Sequence, residues 1–364
     1  MSARAAILGV SGALALGCGC AGAGGDEGES SATSSETSEG GATDGTTGSS
    51  MSGGTTMKDP GLPEPHTWEL SLSLDTSRGA IFSVWGDGPE NIVAVGGQPT
   101  AGLQLRYQGG AWVEEPLPPM TPRLSWVAGI EGRLYAAGYF GALLRREDEG
   151  WASEVSGVDE PLWGVWGASE AEVWAVGGGA PPAPPVLLRR TAGAWQRVDV
   201  AAISGDGHAL YKIWGRAADD IYAVGARGLV LHYDGVEWRR EESGTSVTLI
   251  GVFGDPNGED VVVAGGRSSG VVLRRSGGLW QVRGLPEEDG LDGAWIDEDG
   301  VATVVGRRGF IGVFPRESAG WVREASGVED ELHAVFGVPG GPVFAVGGRF
   351  DMAPYTGVIL RRSP

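Results

Sequence analysis

The sequence predicts an all-β protein: a single seven-bladed β-propeller of four-stranded blades. The first observation behind this is a recurring phrase. It has an apolar residue, two variable residues, an apolar residue that is mostly Val, usually an aromatic, then Gly. Copies begin at Ile81 (IFSVWG), Leu124 (LSWVAG), Leu162 (LWGVWG), Leu210 (LYKIWG), Leu249 (LIGVFG), Leu291 (LDGAWI) and Leu332 (LHAVFG), at spacings of 43, 38, 48, 39, 42 and 41 residues. That period is the size of one four-stranded blade. The second observation is that each copy continues alike. A polar turn leads to a second apolar strand ending in Gly, as in NIVAVGG from Asn91 and DIYAVG from Asp220. A third strand follows, as in VLLRR from Val186. A Gly-containing turn then precedes a Trp that opens a fourth strand: Trp112, Trp151, Trp195, Trp238, Trp280 and Trp321. The third observation is the split repeat. The last copy stops at Pro364 after its third strand, and the missing fourth strand stands first, as HTWELSLSLD from His66 with Trp68. Pairing of the two ends closes a ring, which protects sheet edges that would otherwise template aggregation.

Composition agrees with this plan. There are 65 Gly and 14 Trp in 364 residues, and the formal net charge is -20. Seven Trp open outer strands, and four (Trp85, Trp166, Trp214, Trp295) take the aromatic place of the phrase, where packing between blades is the expected role. The Gly are expected at strand ends and turns. The acidic balance argues against general nucleic-acid binding, which needs a basic face. The imbalance does not come from the N-terminal segment alone, since residues 66–364 hold 39 acids against 25 bases.

Residues 1–17 read as a signal peptide: Arg4, then an apolar run too short to span a bilayer, then small residues. The segment Leu14-Ala15-Leu16-Gly17-Cys18 resembles a bacterial lipobox, with Ala15 where Leu is usual. The resemblance implies a lipid on Cys18. Both cysteines, Cys18 and Cys20, lie at this boundary, so neither serves the folded part. Gly19 follows Cys18 where Asp would favour inner-membrane retention, so an exported protein anchored at the outer membrane is expected. From residue 21 to 57 the chain has no aromatic, basic or branched apolar residue. Such a segment cannot offset its ordering entropy and reads as a disordered tether over residues 18–65, with a Pro-rich end.

Gly96-Gly97, Tyr107 and Trp112 resemble the kelch pattern, and Asp234-Gly235-Val236-Glu237-Trp238 resembles part of the Asp-box of neuraminidase-type (BNR) repeats, one residue short. These are resemblances to repeat classes, over residues 66–364. They imply a propeller and leave its activity open, because such folds include both sialidases and binding proteins without activity.

Motifs for chemistry are few. The four His (His66, His208, His232, His333) show no ligand spacing, no EF-type loop appears, and no metal or cofactor is expected. Eight of the 25 Arg fall in paired third-strand positions (Arg145-Arg146, Arg189-Arg190, Arg274-Arg275 and Arg361-Arg362), away from an axial site. The acidic turns between first and second strands (Asp87, Asp220, Asp255, Asp297 among them) read as a solvated rim. The candidate site is the opposite mouth. The second position of the phrase varies: Phe82, Ser125, Trp163, Tyr211, Ile250, Asp292 and His333. Trp163, Tyr211, Asp292 and His333 would give an aromatic and polar lining suited to a sugar or peptide. Long Pro-rich loops are expected at 98–102, 178–185 and 349–357, beside it.

The expected function is non-enzymatic: a lipid-anchored, monomeric envelope propeller that binds a protein or polysaccharide, with no nucleic-acid partner. A sialidase-like glycoside hydrolase or lyase and an envelope assembly or scaffolding factor are the alternatives. Lipidation makes a direct prediction. Cys18→Ala should abolish normal processing and release the protein from membrane pellets; membrane-bound, normally processed Cys18→Ala protein would refute it.

Overall fold

The computed structural model describes residues 62–362, apart from 180–182, 206–207, 256–257, 286–287, 317 and 319. The proposed signal peptide, Cys18 and nearly all of the tether lie outside the described residues. The fold is a seven-bladed β-propeller. Among the described residues, seven four-stranded antiparallel sheets form its blades. The inner strands are Ala80–Gly88, Leu124–Ile130, Leu162–Ser169, Leu210–Ala217, Leu249–Gly254, Leu291–Ile296 and Leu332–Gly337, in blades 1 to 7. The strand Trp68–Leu74 pairs with Gly357–Arg362 and completes blade 7, as the split repeat predicts.

The core lies between blades. The second strand of each blade is buried along nearly all of its length, and in Val261–Gly265 from end to end, because both of its faces meet neighbouring sheets. Near the axis, an aromatic ring on one inner strand covers the Gly that ends the phrase on the next. A Cβ on Gly129 would stand 2.0 Å from Trp85, one on Gly215 2.6 Å from Trp166, one on Gly254 2.2 Å from Trp214, and one on Gly337 2.1 Å from Trp295. These glycines do not serve turns with positive φ, which is the role expected from the sequence. They are needed for close approach of the blades. Gly at the end of the second strands has the same cause: a Cβ on Gly96 would lie 2.0 Å from the carbonyl oxygen of Ala80, and one on Gly347 1.9 Å from that of Glu331.

At the rim, the Trp that opens an outer strand reaches back to the previous blade. The indole N–H of Trp195 donates to Glu154 (2.7 Å), that of Trp280 to Glu241 (2.6 Å) and that of Trp151 to Gln104 (2.9 Å). Arg190 and Arg275 pair with the same two glutamates at 2.8 and 3.2 Å. The closing strand uses the same device: Trp68 donates to Glu324 at 2.7 Å, and the His66 backbone N–H joins it at 2.8 Å. The next blade returns the contact, with Trp112 donating to Ser71 at 3.0 Å.

Two local expectations change. The loop expected at 98–102 is a two-residue turn, since one strand runs to Gln98 and the next begins at Ala101. Pairing of Gln98 with Ala101 across this turn extends the hairpin through Pro99 and Thr100. The acidic turns also do more than face solvent. Asp87 accepts from Asn91, Asp297 accepts the N–H of Val301, Asp220 pairs with His232 at 2.8 Å, and Asp255 is buried against Arg316 at 2.7 Å.

Two predictions follow from the rim. Trp68→Ala should cost about 3–5 kcal/mol by removing a buried ring, read as a lower denaturation midpoint. Trp68→Phe, which keeps an aromatic ring but loses the N–H to a charged acceptor and part of the ring volume, should cost less than Trp68→Ala but at least about 1.5–3 kcal/mol. Equal stability of all three proteins would show that the first strand does not lock the ring. The second concerns His232. Burial opposes its charging, but hydrogen bonds to Asp220 and Glu241 outweigh that and raise its pKa to about 9. The charged ring therefore stabilises the fold below its ordinary value near 6.5, and this contribution fades as pH rises from there through about 9. Urea unfolding across that range should show falling stability, with a shallower slope in His232→Gln.

Candidate functional site

In all seven inner strands the ladder skips one residue, at Phe82, Ser125, Trp163, Tyr211, Ile250, Asp292 and His333. This is the variable second position. A bulged residue has no cross-strand partner and its side chain is re-aimed, so neither ladder nor core dictates its identity. The third position faces the axis, where seven strands converge. It is small in five blades (Ser83, Gly164, Gly251, Gly293, Ala334) and large in two, Trp126 and Lys212. These two fill the space together: Lys212 Nζ stands 3.5 Å from the Trp126 ring centroid and donates to the Trp163 carbonyl at 3.2 Å. Burial pushes the Lys212 pKa down to about 7, against the pull of Asp292.

The structure brings the four candidate residues together in two pairs. Trp163 and Tyr211, on blades 3 and 4, have ring centroids 6.2 Å apart, and Tyr139 meets Trp163 edge-on at 5.4 Å. The Trp163 indole N–H donates to the Gly178 carbonyl at 3.0 Å. Beside this row lies Arg123, whose guanidinium carbon is 4.0 Å from the Tyr139 ring centroid, 4.8 Å from Phe82 and 5.5 Å from Phe350. Burial lowers its pKa to about 10. The cation is thus caged by three rings.

The row continues outward. Phe140 meets Tyr139 at 6.1 Å and lines a groove of about 680 Å³ with Met120, Val155 and Thr100. Phe140 is 63% exposed, Val155 87% and Met120 95%. Phe140 and Met120 have φ of 53° and 62°, a left-handed conformation that non-glycine residues seldom adopt. Two strained residues thus present large apolar side chains to solvent.

The second pair, Asp292 and His333, sits on blades 6 and 7 and is joined by Glu331, which immediately precedes the blade 7 inner strand. One ligand-type atom from each lies within 4.8 Å of the others. Stacking on Phe82 (centroids 4.6 Å, planes 2° apart) fixes the His333 ring, and its Nε2 bonds the Gly348 carbonyl at 3.0 Å. Burial drives its pKa down to about 3, so the imidazole is neutral. Burial, with Glu331 beside it, raises Asp292, and burial raises Glu331 against the nearby Arg307, 3.6 Å away.

Sequence reasoning missed Arg123, Tyr139, Phe350 and Glu331, which lie in loops or just before strands, outside the repeated phrase. Lys212 and Trp126 did leave a signal: large residues where five copies have Gly, Ser or Ala. The paired third-strand arginines are engaged away from the mouth, Arg189 with Glu172 at 2.9 Å and Arg274 with Asp260 at 3.1 Å.

No family model matches the chain, and no curated protein matches it in sequence. Solved structures do resemble it. One is YCF48 bound to D1 peptide, with a TM-score of 0.60 and 12% identity over 83% of this chain and 99% of that one. Another is the WD40 β-propeller domain of Doa1, with a TM-score of 0.59 and 9% identity over 81% and 97%. At such identities the likeness is one of fold, and that fold is the seven-bladed propeller.

Proposed function

We propose that this protein is a non-enzymatic binding scaffold, held at the cell envelope by a lipid on Cys18, whose mouth and adjoining groove take a protein partner. The observation that carries the reading is the continuous surface from Met120, Val155 and Phe140 through Tyr139 to Trp163 and Tyr211. Exposed apolar residues joined in one patch mark interaction sites in soluble domains. Aromatic anchors with a caged Arg are also the residue types that dominate protein interfaces. YCF48, of the same fold, is seen with a peptide. The acidic Gly/Ser/Thr-rich segment between Cys18 and the propeller is long enough to let the ring meet its partner away from the membrane.

A polysaccharide is the other ligand class this lining suits. The apolar groove favours protein, because a sugar gains little from Met120 and Val155. The hydrolase or lyase alternative needs arginines free at the mouth. Arg123 is caged by rings, and Arg307 is paired with Glu331.

The test is a binding screen with envelope proteins on one arm and a glycan array on the other. A captured protein should lose at least tenfold in affinity to Phe140→Asp/Val155→Asp. Thermal stability should not change, since both side chains are exposed. Glycan binding without protein capture, or capture indifferent to both substitutions, would overturn the reading.

A further inference from the structure

We infer that Asp292, Glu331 and His333 form a binding site for a small divalent transition ion such as Zn²⁺ or Mn²⁺. They supply two carboxylates and one imidazole with ligand atoms within 4.8 Å of one another. The three come from two blades, so the site exists only in the folded ring. Two further observations point to a ligand. Asp292 Oδ2 is buried without a hydrogen-bond partner, and such an atom calls for an explanation. His333 is only 9% exposed, and its Nε2 donates to the Gly348 carbonyl, which leaves the lone pair on Nδ1. A ring nitrogen tied to a backbone carbonyl is how ligating histidines are oriented. Phe82 stacked on one face and Phe350 edge-on at 4.9 Å hold the ring rigid.

The donor set decides the class of ion. Calcium takes six to eight oxygens, more than two carboxyl groups and an imidazole provide. A mixed set of one imidazole and two carboxylates suits zinc or manganese, and three protein ligands leave a position open. Asp292 and Glu331 are each partly exposed at the mouth, so that position is reachable by water or a carboxylate from outside. Arg307, 3.6 Å from Glu331, and Lys212, which feels the Asp292 charge, belong to the surroundings of the site and lower its affinity for a cation. The competing account is that the two carboxyl groups share a proton and hold no ion.

The experiment uses the full chain, dialysed against chelator and titrated calorimetrically with Zn²⁺ and, separately, Mn²⁺ at pH 7.5. One ion per chain with micromolar or tighter affinity is expected, with at least a tenfold loss in Asp292→Asn and in His333→Gln. Glu331→Gln, at a partly exposed position just before the strand, serves where the other variants fail to fold, and should show the same loss with an unchanged circular dichroism spectrum. Mn²⁺ electron paramagnetic resonance gives an independent count of bound ions. Absence of stoichiometric binding up to about 1 mM would overturn the site and leave the shared proton. So would binding that all three variants retain, since the ion would then sit elsewhere, as on the acidic N-terminal segment.

Discussion

The ring depends on how closely successive blades approach near the axis. An aromatic ring of one inner strand sits where the next strand would carry a Cβ, so the aromatic and the Gly are two halves of one contact. Where the aromatic is missing, the contact adapts. Ala128 stands in the aromatic place of blade 2, and the side chain nearest the Gly167 position is then Ile130, at 3.1 Å. Where Gly is missing, as at Ile296, the preceding blade offers Phe253 instead of Trp. Such tight approach narrows the axis and forces small residues at the third position. It leaves room for one large pair, which Trp126 and Lys212 occupy as a cation over an aromatic face. The hole that gives many rings a channel is here largely closed, and the chemistry is displaced to the mouth.

The bulge gives this scaffold its candidate site. Each inner strand must bring its first residue, a buried Leu or Ile, against the end of the second strand, and the ladder then resumes two residues on. The skipped residue is released from pairing and aimed at the mouth. One frame thus carries seven independently variable side chains around a common centre. Trp163 and Tyr211 make one flank aromatic, while Asp292 and His333 make another polar. Neither flank disturbs packing below, because the residues beneath them belong to the axis and the inter-blade core.

The fold was legible because repetition averages out local ambiguity. A lone LIGVFG could be a helix turn or a strand; seven copies at one period, each followed by the same second strand and Trp, leave one architecture. The split seventh repeat was legible for the same reason, since Trp68 is a Trp out of register with its own blade. The site was legible only by contrast with the repeat. Trp163, Tyr211, Asp292 and His333 stood out as variation inside a constant frame. Glu331 and Arg123 did not, because they precede the frame and have no equivalent positions to be compared with. Phe140 and Met120 were hidden for another reason. Their exposure follows from left-handed backbone at a tight loop, and sequence patterning assigns large apolar residues to the core.

The charge distribution explains why so acidic a ring still offers an apolar mouth. Its carboxylates are consumed in places set by the repeat. Glu154 and Glu241 bind a Trp and an Arg of the next blade at the rim, and Asp220 and Asp255 hold basic partners at the turns of the far face. Many basic residues are engaged in the same contacts, as Arg190 and Arg275 are at the rim. A pair of carboxyl groups at the mouth, Asp292 and Glu331, is therefore an exception to the pattern by which this molecule places its acids. Glu154, Glu241, Asp220 and Asp255 each have a donor, whereas Asp292 has one oxygen buried with none. Since the bulge frees that position from the ladder, an apolar residue would fit it as Ile250 does in blade 5. An acid kept at such a position, facing a second acid and a neutral imidazole, points to something that the protein receives from outside.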